Sequence, residues 1–222
     1  MKILITGTSR GIGLELVKRY VERGDEVVAV CRRAPDALRA VATRVIDGVD
    51  VADDASVGTL AQALGDTALD VLVNNAGVLE TDGLAPLDVD AIRRQFEVNA
   101  IGPLRVTAAL LGNVRDGGKI AMITSRMGSI ADNGSGGAYG YRMSKAALNM
   151  AGVSLARDLA ARKIAVALLH PGMVATDMTA RFGASGMQRA DETAAKLVAR
   201  IDELTLARSG SFVHANGEPL PW

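Results

Sequence analysis

The sequence predicts an α/β fold: a three-layer sandwich with a parallel sheet of about seven strands and helices on both faces. Three observations carry this expectation. Short Val-, Ile- and Leu-rich runs alternate with longer runs of helical periodicity along the chain. The short runs are apolar throughout, as strands covered on both faces are. The first of them leads through a glycine-rich loop directly into a helix. Alternation of this kind is the signature of crossover units that build one parallel sheet.

The elements follow in order. KILIT (2–6) is a buried strand, and GIGLELVKRYVERG is a helix closed by Gly24. EVVAVC (26–31) is the second strand. PDALRAVA is a short helix whose proline suits a first turn. RVIDGV (44–49) is a weaker third strand, and DDASVGTLAQAL is a helix with acids at its start. DVLVNN (70–75) is the fourth strand, followed by one long helical stretch from about Asp88 to Leu111. KIAMIT (119–124) is the fifth strand, a helix runs from about Tyr139 to Ala161, and KIAVALLH (163–170) is the sixth strand. The mixed segment after Pro171 reads as a substrate flap over about 173–190. DETAAKLVARIDEL is the last helix and SFVHA (211–215) the last strand.

Composition narrows the function classes. At 222 residues the chain fits a single domain, residues 1–222. Its 25 basic residues balance 25 acidic ones, so neither nucleic acid nor an anionic membrane is expected as a partner. Cys31 is the only cysteine, which excludes an internal disulfide and makes a reducing, cytoplasmic setting the expectation. MKILITGTSRG meets Gly and Arg too soon for a signal peptide, and no apolar run reaches membrane-spanning length. No His, Cys or Asp cluster has metal-ligand spacing, so no metal is expected.

In such a sheet ligands bind beyond the carboxyl ends of the strands, so the residues just past each strand are the informative ones. After the first strand, TGTSRGIG places Gly7, Gly11 and Gly13 between strand and helix. Glycines allow a tight turn and close approach to a ligand, and the helix start offers free N–H groups to a pyrophosphate. This gives the sandwich a Rossmann-type, dinucleotide-binding character. After the second strand comes Cys31-Arg32-Arg33, where many NAD-binding chains carry an acid for the ribose 2′-hydroxyl. Arg10 of the glycine loop lies on the same side. Two guanidinium groups without a carboxylate suit a 2′-phosphate, so NADP(H) is expected in preference to NAD(H). Arg33 reads as a solvated charge. After the third strand, Asp50 suits an adenine amino group with Val51 beside the ring, or else a helix cap, although Asp53 is better placed for that. Asn74-Asn75-Ala76-Gly77 follows the fourth strand, Ser125 the fifth, and Pro171-Gly172 with Thr176 the sixth.

The segment YGYRMSK adds Tyr141 and Lys145, which are i and i+4 on one helix face. Taken together, TGTSRGIG, NNAG, Asn99 in FEVNAIG, Ser125, YRMSK and PGMVATDM resemble, in order and spacing, the short-chain dehydrogenase/reductase family. TSRMGSI, YRMSKAALNM and the ending NGEPLPW are similar to its C-factor and sniffer-type carbonyl reductases. The resemblance implies reduction of a ketone or aldehyde by hydride transfer from NADPH, with a tetrad of Asn99, Ser125, Tyr141 and Lys145. Tyr141 is implied as proton donor, Lys145 as its pKa-lowering partner and ribose clamp, and Ser125 as the group holding the substrate oxygen. Asn99 is implied to hold a water through its backbone carbonyl. Cofactor contacts are implied at Gly7, Ser9, Arg10, Gly11, Ile12, Gly13, Arg32, Asp50, Val51, Asn74, Asn75, Ala76, Gly77, Tyr141, Lys145, Pro171, Gly172, Val174 and Thr176.

Ser125 and Tyr141 stand 16 apart rather than the family's usual spacing of about 13, with Ser129 as a rival serine. Tyr139 is a pocket wall or merely packed. Met173, Met178, Phe182 and Met187 form an apolar lid or belong to the core. His170 and His214 read as structural. The family's assembly mode implies a homodimer or homotetramer through the helices at 88–111 and 139–161. In the second, Ala146, Ala147, Ala151, Gly152 and Ala156 allow close packing, against a partner or against the sheet. The C-factor likeness leaves a regulatory, dinucleotide-binding signalling protein as the alternative.

Overall fold

The computed structural model describes residues 1–183 and 185–222. Ala184, within the expected flap, lies outside the described residues. The strands are β1 (Lys2–Thr6), β2 (Glu26–Val30), β3 (Arg44–Ile46), β4 (Leu69–Asn74), β5 (Val114–Ile123), β6 (Ala165–His170) and β7 (Phe212–His214). They form one sheet in the order β3-β2-β1-β4-β5-β6-β7, every neighbouring pair parallel. The chain runs outward from β1 to β3, then returns to the other side of β1 at β4. That reversal opens a crevice above the carboxyl ends of β1 and β4.

Alternate residues of each strand face opposite layers, so an all-apolar strand serves both. Ile3 and Ile5 of β1 pack with Leu16, Val17 and Tyr20 of α1 (Gly11–Glu22) and with Leu197 and Ile201 of α7 (Ala190–Asp202). Leu38, in the one-turn α2 (Asp36–Arg39), joins the same layer. Leu4 faces the other way. It belongs with Val57 and Leu60 of α3 (Asp54–Leu64), Val106 and Leu110 of α5 (Gly102–Leu110), and Leu148 of α6 (Tyr139–Asp158).

The stretch expected as one helix over 88–111 is interrupted. α4 (Val89–Phe96) passes into a π-helical turn, Glu97–Ile101, before α5 begins. Pro103 has no N–H with which to bond the Asn99 carbonyl as an α-helix requires, and the Gly102 N–H bonds the Glu97 carbonyl instead. The fifth strand starts five residues earlier than KIAMIT, because Val114 pairs with Leu69 before a register shift brings Lys119 opposite Val71. The third strand is shorter than expected and stops at Ile46.

Candidate active site

The glycine loop owes its shape to contacts that no side chain would permit. A Cβ on Gly13 would lie 2.2 Å from the Gly7 carbonyl oxygen, and one on Gly7 (φ +71°) would lie 2.7 Å from Ala76 Cα. Asn75 ties the loop to the end of β4: its Nδ2 donates to the carbonyls of Thr6 (3.0 Å) and Gly7 (3.1 Å). Thr6 Oγ1 in turn accepts from the N–H groups of Asn75 and Ala76, both at 3.1 Å. The loop therefore lies flat against the β4 end, and the first turn of α1, with no side-chain cap from Arg10, faces the crevice.

A cavity of about 230 Å³ runs along these strand ends. Of the residues expected around a cofactor, Gly7, Ser9, Arg10, Gly11, Ile12, Gly13, Arg32, Asp50, Val51, Asn75, Ala76, Gly77, Tyr141, Lys145, Pro171 and Thr176 line it. Three do not. Asn74 is buried below, its amide donating to Thr107 Oγ1 at 3.0 Å. Val174 is part of the core. Gly172 (φ +90°) turns toward Gln188 and His214, whose side-chain nitrogens lie 3.0 and 3.2 Å from where its Cβ would be. Strand-end position brings most of these residues to the cavity, but whether a side chain faces the crevice or the core depends on pleat and loop geometry.

Asp50 is free of helix capping. Asp53 caps α3 by accepting from Ser56 N at 2.9 Å, while Asp50 accepts from Ala52 N at 2.9 Å within its own turn. Arg32 is exposed and has no carboxylate partner among the described residues. Arg10 spans the cavity mouth to Asp177 at 3.2 Å. Asp177 and Met178 also line the cavity; Met178 was read as lid or core, and Asp177 was not singled out although it stands inside the PGMVATDM segment. Cys31 lines it too, with burial pushing its thiol pKa up.

Of the four tetrad candidates, all buried, Tyr141 and Lys145 line the cavity, while Ser125 and Asn99 stand outside its lining. Tyr141 and Lys145 lie one turn apart on the inner face of α6, with Lys145 Nζ 5.8 Å from the centre of the Tyr141 ring. Lys145 Nζ donates to the carbonyl of Ile123, the last residue of β5, at 2.9 Å. Ser125 Oγ accepts from Met127 N at 3.2 Å and opens a 3₁₀ turn, Arg126–Gly128. That turn presses on α6, since a Cβ on Gly128 would lie 2.7 Å from the carbonyl carbon of Lys145. Ser125 is near enough to Tyr141, despite their long separation in sequence, to draw the phenol pKa downward. The rival Ser129 is occupied as a turn residue, accepting from Asp132 N at 3.0 Å.

Asn99 is a brace. Its Oδ1 accepts from Val78 N (2.8 Å), and its Nδ2 donates to Val78 O (2.9 Å) and Ser144 Oγ (3.1 Å). Ser144 then donates to the Tyr141 carbonyl at 2.8 Å. The sequence pointed to the Asn99 backbone; its side chain and Ser144 form the link between the β4 end and α6.

Burial dominates the electrostatics. It pushes the Tyr141 phenol pKa up, and the Ser125 hydroxyl pulls it only part of the way back. It pulls Lys145 down to about 8. The Lys145 ammonium is turned to the Ile123 carbonyl, and burial rather than this lysine governs the phenol of the protein by itself. His170, half-buried and edge-on to His214 with ring centres 5.0 Å apart, is held down at about 3, mainly by desolvation. Each histidine Nδ1 accepts from a backbone N–H, Gly172 at 3.4 Å and Asn216 at 3.0 Å, which is a structural arrangement. Tyr139 is partly exposed and does not line the cavity. Of the apolar flap residues, Met178 lines it, while Met173 and Phe182 are exposed.

The features of the cleft fit a dinucleotide. A glycine loop packed too tightly for a Cβ at Gly7 or Gly13 faces it beside an uncapped helix start, and two arginines, a buried tyrosine and a buried lysine line it. Comparisons with known proteins agree. The short chain dehydrogenase family model matches residues 1–186. The chain is 42% identical over 223 residues to 1-hydroxy-2-glutathionyl-2-methyl-3-butene dehydrogenase of Rhodococcus sp. (strain AD45), covering 99% of both chains. It is 45% identical over 157 residues to C-signal of Myxococcus xanthus, covering 69% of this chain and 93% of that one. Among solved structures, NADPH-bound carbonyl reductase from chicken fatty liver superposes with a TM-score of 0.91 at 27% identity, over 100% of this chain and 98% of that one. Carbonyl reductase Sniffer of D. melanogaster superposes with a TM-score of 0.87 at 28% identity, over 100% and 99%.

Proposed function

The chain belongs to the short-chain dehydrogenase family and is an oxidoreductase of that family, and from this premise we propose that it is an NADPH-dependent reductase of a ketone or aldehyde. One observation carries the reading: buried Tyr141 and Lys145 share a cavity wall with the Gly7–Gly13 loop, and Arg10 and Arg32 stand at its other end. A bound NADPH supplies the hydride. In this reading the chain's own residues orient and protonate. The uncapped start of α1 and the glycine backbone take the pyrophosphate, and Arg10 and Arg32 take the 2′-phosphate. Ser125 holds the substrate oxygen, and Tyr141 delivers a proton to that oxygen as the carbonyl carbon accepts hydride. A phenol raised by burial stays protonated at neutral pH, which is the state a proton donor needs. Lys145, at about 8, is poised to restore the proton. Asn99 and Ser144 keep α6 in register with the β4 end.

The test is NADPH oxidation with a panel of aldehydes and ketones, and NADP⁺ reduction with alcohols that include glutathione-bearing ones. The alcohols cover the reverse direction, which the name of the Rhodococcus relative describes. Tyr141→Phe is expected to lower turnover by about 10²–10⁴-fold while retaining NADPH binding. Binding of NADPH with no turnover in any member would refute the reading. A second reading, a regulatory dinucleotide-binding protein, draws on the likeness to C-signal. It requires a cellular phenotype that survives Tyr141→Phe and is lost on changing Gly11 or Arg32. In either reading we infer a cytoplasmic homodimer or homotetramer, from the family resemblance and the single cysteine. No helix of the described residues is long and apolar enough to cross a membrane.

A further inference from the structure

The start of α6 has an unusual construction. Ala138, the residue before its first turn, adopts a left-handed conformation (φ 47°, ψ 49°) and has no side chain with which to cap the helix. The capping group comes from elsewhere. Asp82, in the loop between β4 and α4 and 58 residues before Gly140, accepts from Gly140 N at 2.7 Å. The same oxygen, Oδ2, accepts from Gln95 Nε2 of α4 at 2.9 Å. Gln95 is fully buried, and its Oε1 accepts from Glu80 N at 3.1 Å, so the loop is fastened to α4 as well. Gly140 is needed for this bracket: a Cβ there would lie 2.5 Å from Gln95 Nε2 and 2.6 Å from Asp82 Oδ2. The residue after Gly140 is Tyr141.

We propose that Asp82 is a positioning residue for Tyr141: its carboxylate caps the first turn of α6 from outside the helix and so fixes where the phenol stands relative to Ser125. The physical basis is twofold. An acid at a helix start is favoured by the unpaired N–H groups and the positive end of the helix dipole. Proton transfer also depends on placement, and a misplacement of about 1 Å can cost about 10²-fold. Without the bracket nothing in the sequence of the first turn itself, Tyr139-Gly140-Tyr141, supplies a cap. The link reaches the flap too, because Thr81, next to Asp82, accepts a hydrogen bond from Arg181. The inference rests on the reading of Tyr141 as the proton donor.

The test uses the full chain, NADPH and 4-nitrobenzaldehyde as the carbonyl probe. Asp82→Ala is expected to lower kcat about tenfold or more, with the NADPH dissociation constant and KM changed by less than about threefold. Asp82→Asn is expected to restore kcat to within about threefold of the native protein, since an amide oxygen can accept both bonds. A second arm needs no turnover. In protein labelled with 3-fluorotyrosine, the fluorine resonance assigned to Tyr141 by Tyr141→Phe is expected to move in Asp82→Ala and return in Asp82→Asn, with the Tyr20 resonance unmoved. If Asp82→Ala does not fold, Gly140→Ala makes the same test, because its methyl displaces the carboxylate. An unmoved Tyr141 resonance, or an unchanged kcat, overturns the proposal. So does equal loss of kcat and NADPH binding, which marks general damage. If the native protein turns over neither this probe nor any member of the aldehyde, ketone and alcohol panel, the proposed function is what fails, and the fluorine arm still decides the placement of Tyr141.

Discussion

At the scale of single residues, the buried lysine makes a prediction of definite sign. Lys145 has a pKa of about 8 in the folded chain and an ordinary value of 10.5 when unfolded. Below pH 8 both states hold the proton, and the full cost of a buried ammonium is present. Between pH 8 and 10.5 the unfolded state holds a proton that the folded state has released, so stability rises with pH. Lys145→Met removes the charge at similar length. The variant is expected to melt a few degrees above the native protein at pH 7, given that 1 kcal/mol moves a domain this size by about 2–4 °C. The gap is expected to close as pH rises from 8 to 10.5, and activity is lost throughout. Thermal melts of both proteins across that range check it; a gap independent of pH refutes it. The i, i+4 spacing puts Tyr141 and Lys145 on one helix face, but the pair stood out only in company with the glycine loop, the two arginines, the NNAG turn and the serine past the fifth strand. The direction of the tyrosine's pKa was not legible in the sequence, because desolvation depends on what covers the helix face, and that covering comes from β5 and the turn at Arg126–Gly128.

At the scale of elements, the segment after β6 and the start of α1 meet across the cavity mouth. Arg10 pairs with Asp177, both largely exposed, and a Cβ on Gly11 would lie 3.2 Å from Thr176 Cγ2. If Arg10 grips the 2′-phosphate, Asp177 competes for it. Asp177→Asn is therefore expected to tighten NADPH binding by up to about fivefold, the range an exposed ion pair of 0.2–1 kcal/mol allows. NADH binding is expected to change little, and the difference to shrink with added salt. Arg10→Ala is expected to weaken NADPH selectively. Fluorescence titrations of both cofactors check this; equal changes for the two remove Arg10 from the phosphate site. The glycine loop and both arginines were readable because short-range spacing and strand-end position determine them. The π-helical turn carrying Asn99 was not read as a break, since FEVNAIGP has good helical periodicity and the interruption arises from Pro103. The Asp82–Gln95–Gly140 bracket was invisible for a different reason: its members are remote in sequence and only the packing of α4 against α6 joins them.

At the scale of the whole molecule, the parallel seven-stranded sheet and both helix layers follow from apolar strands alternating with amphipathic helices, and that much the chain announces; the order of the strands it does not. What a helix's outer face does is harder to read. Gly152 and Ala156, counted among the small residues that could serve a partner, are used by this chain instead: a Cβ on Gly152 would lie 2.7 Å from Leu168 Cδ2 on β6, and Ala156 Cβ is 3.1 Å from the Cβ position of Gly210. The outward face of α6 instead carries Met143 and Met150, seven residues apart and exposed at 49% and 68%. On the same side of the sheet, α5 and the turn before it expose Ile101 and Leu104 at 41% and 43%. Exposed apolar side chains grouped on adjacent helices mark an association surface more often than isolated ones do. A stable dimer needs about 800 Å² from each partner, which two helix faces can provide. The native protein is therefore expected to sediment as a dimer or tetramer, and Leu104→Glu combined with Met150→Glu to sediment as a smaller species. Tyr141 and Lys145 lie on the inner face of α6, so NADPH binding by the dissociated form is expected to stay within about threefold of the native value, as for separated sites that act independently. A native protein that sediments as a monomer at micromolar concentration would leave these four side chains without a partner and refute the assignment of this face.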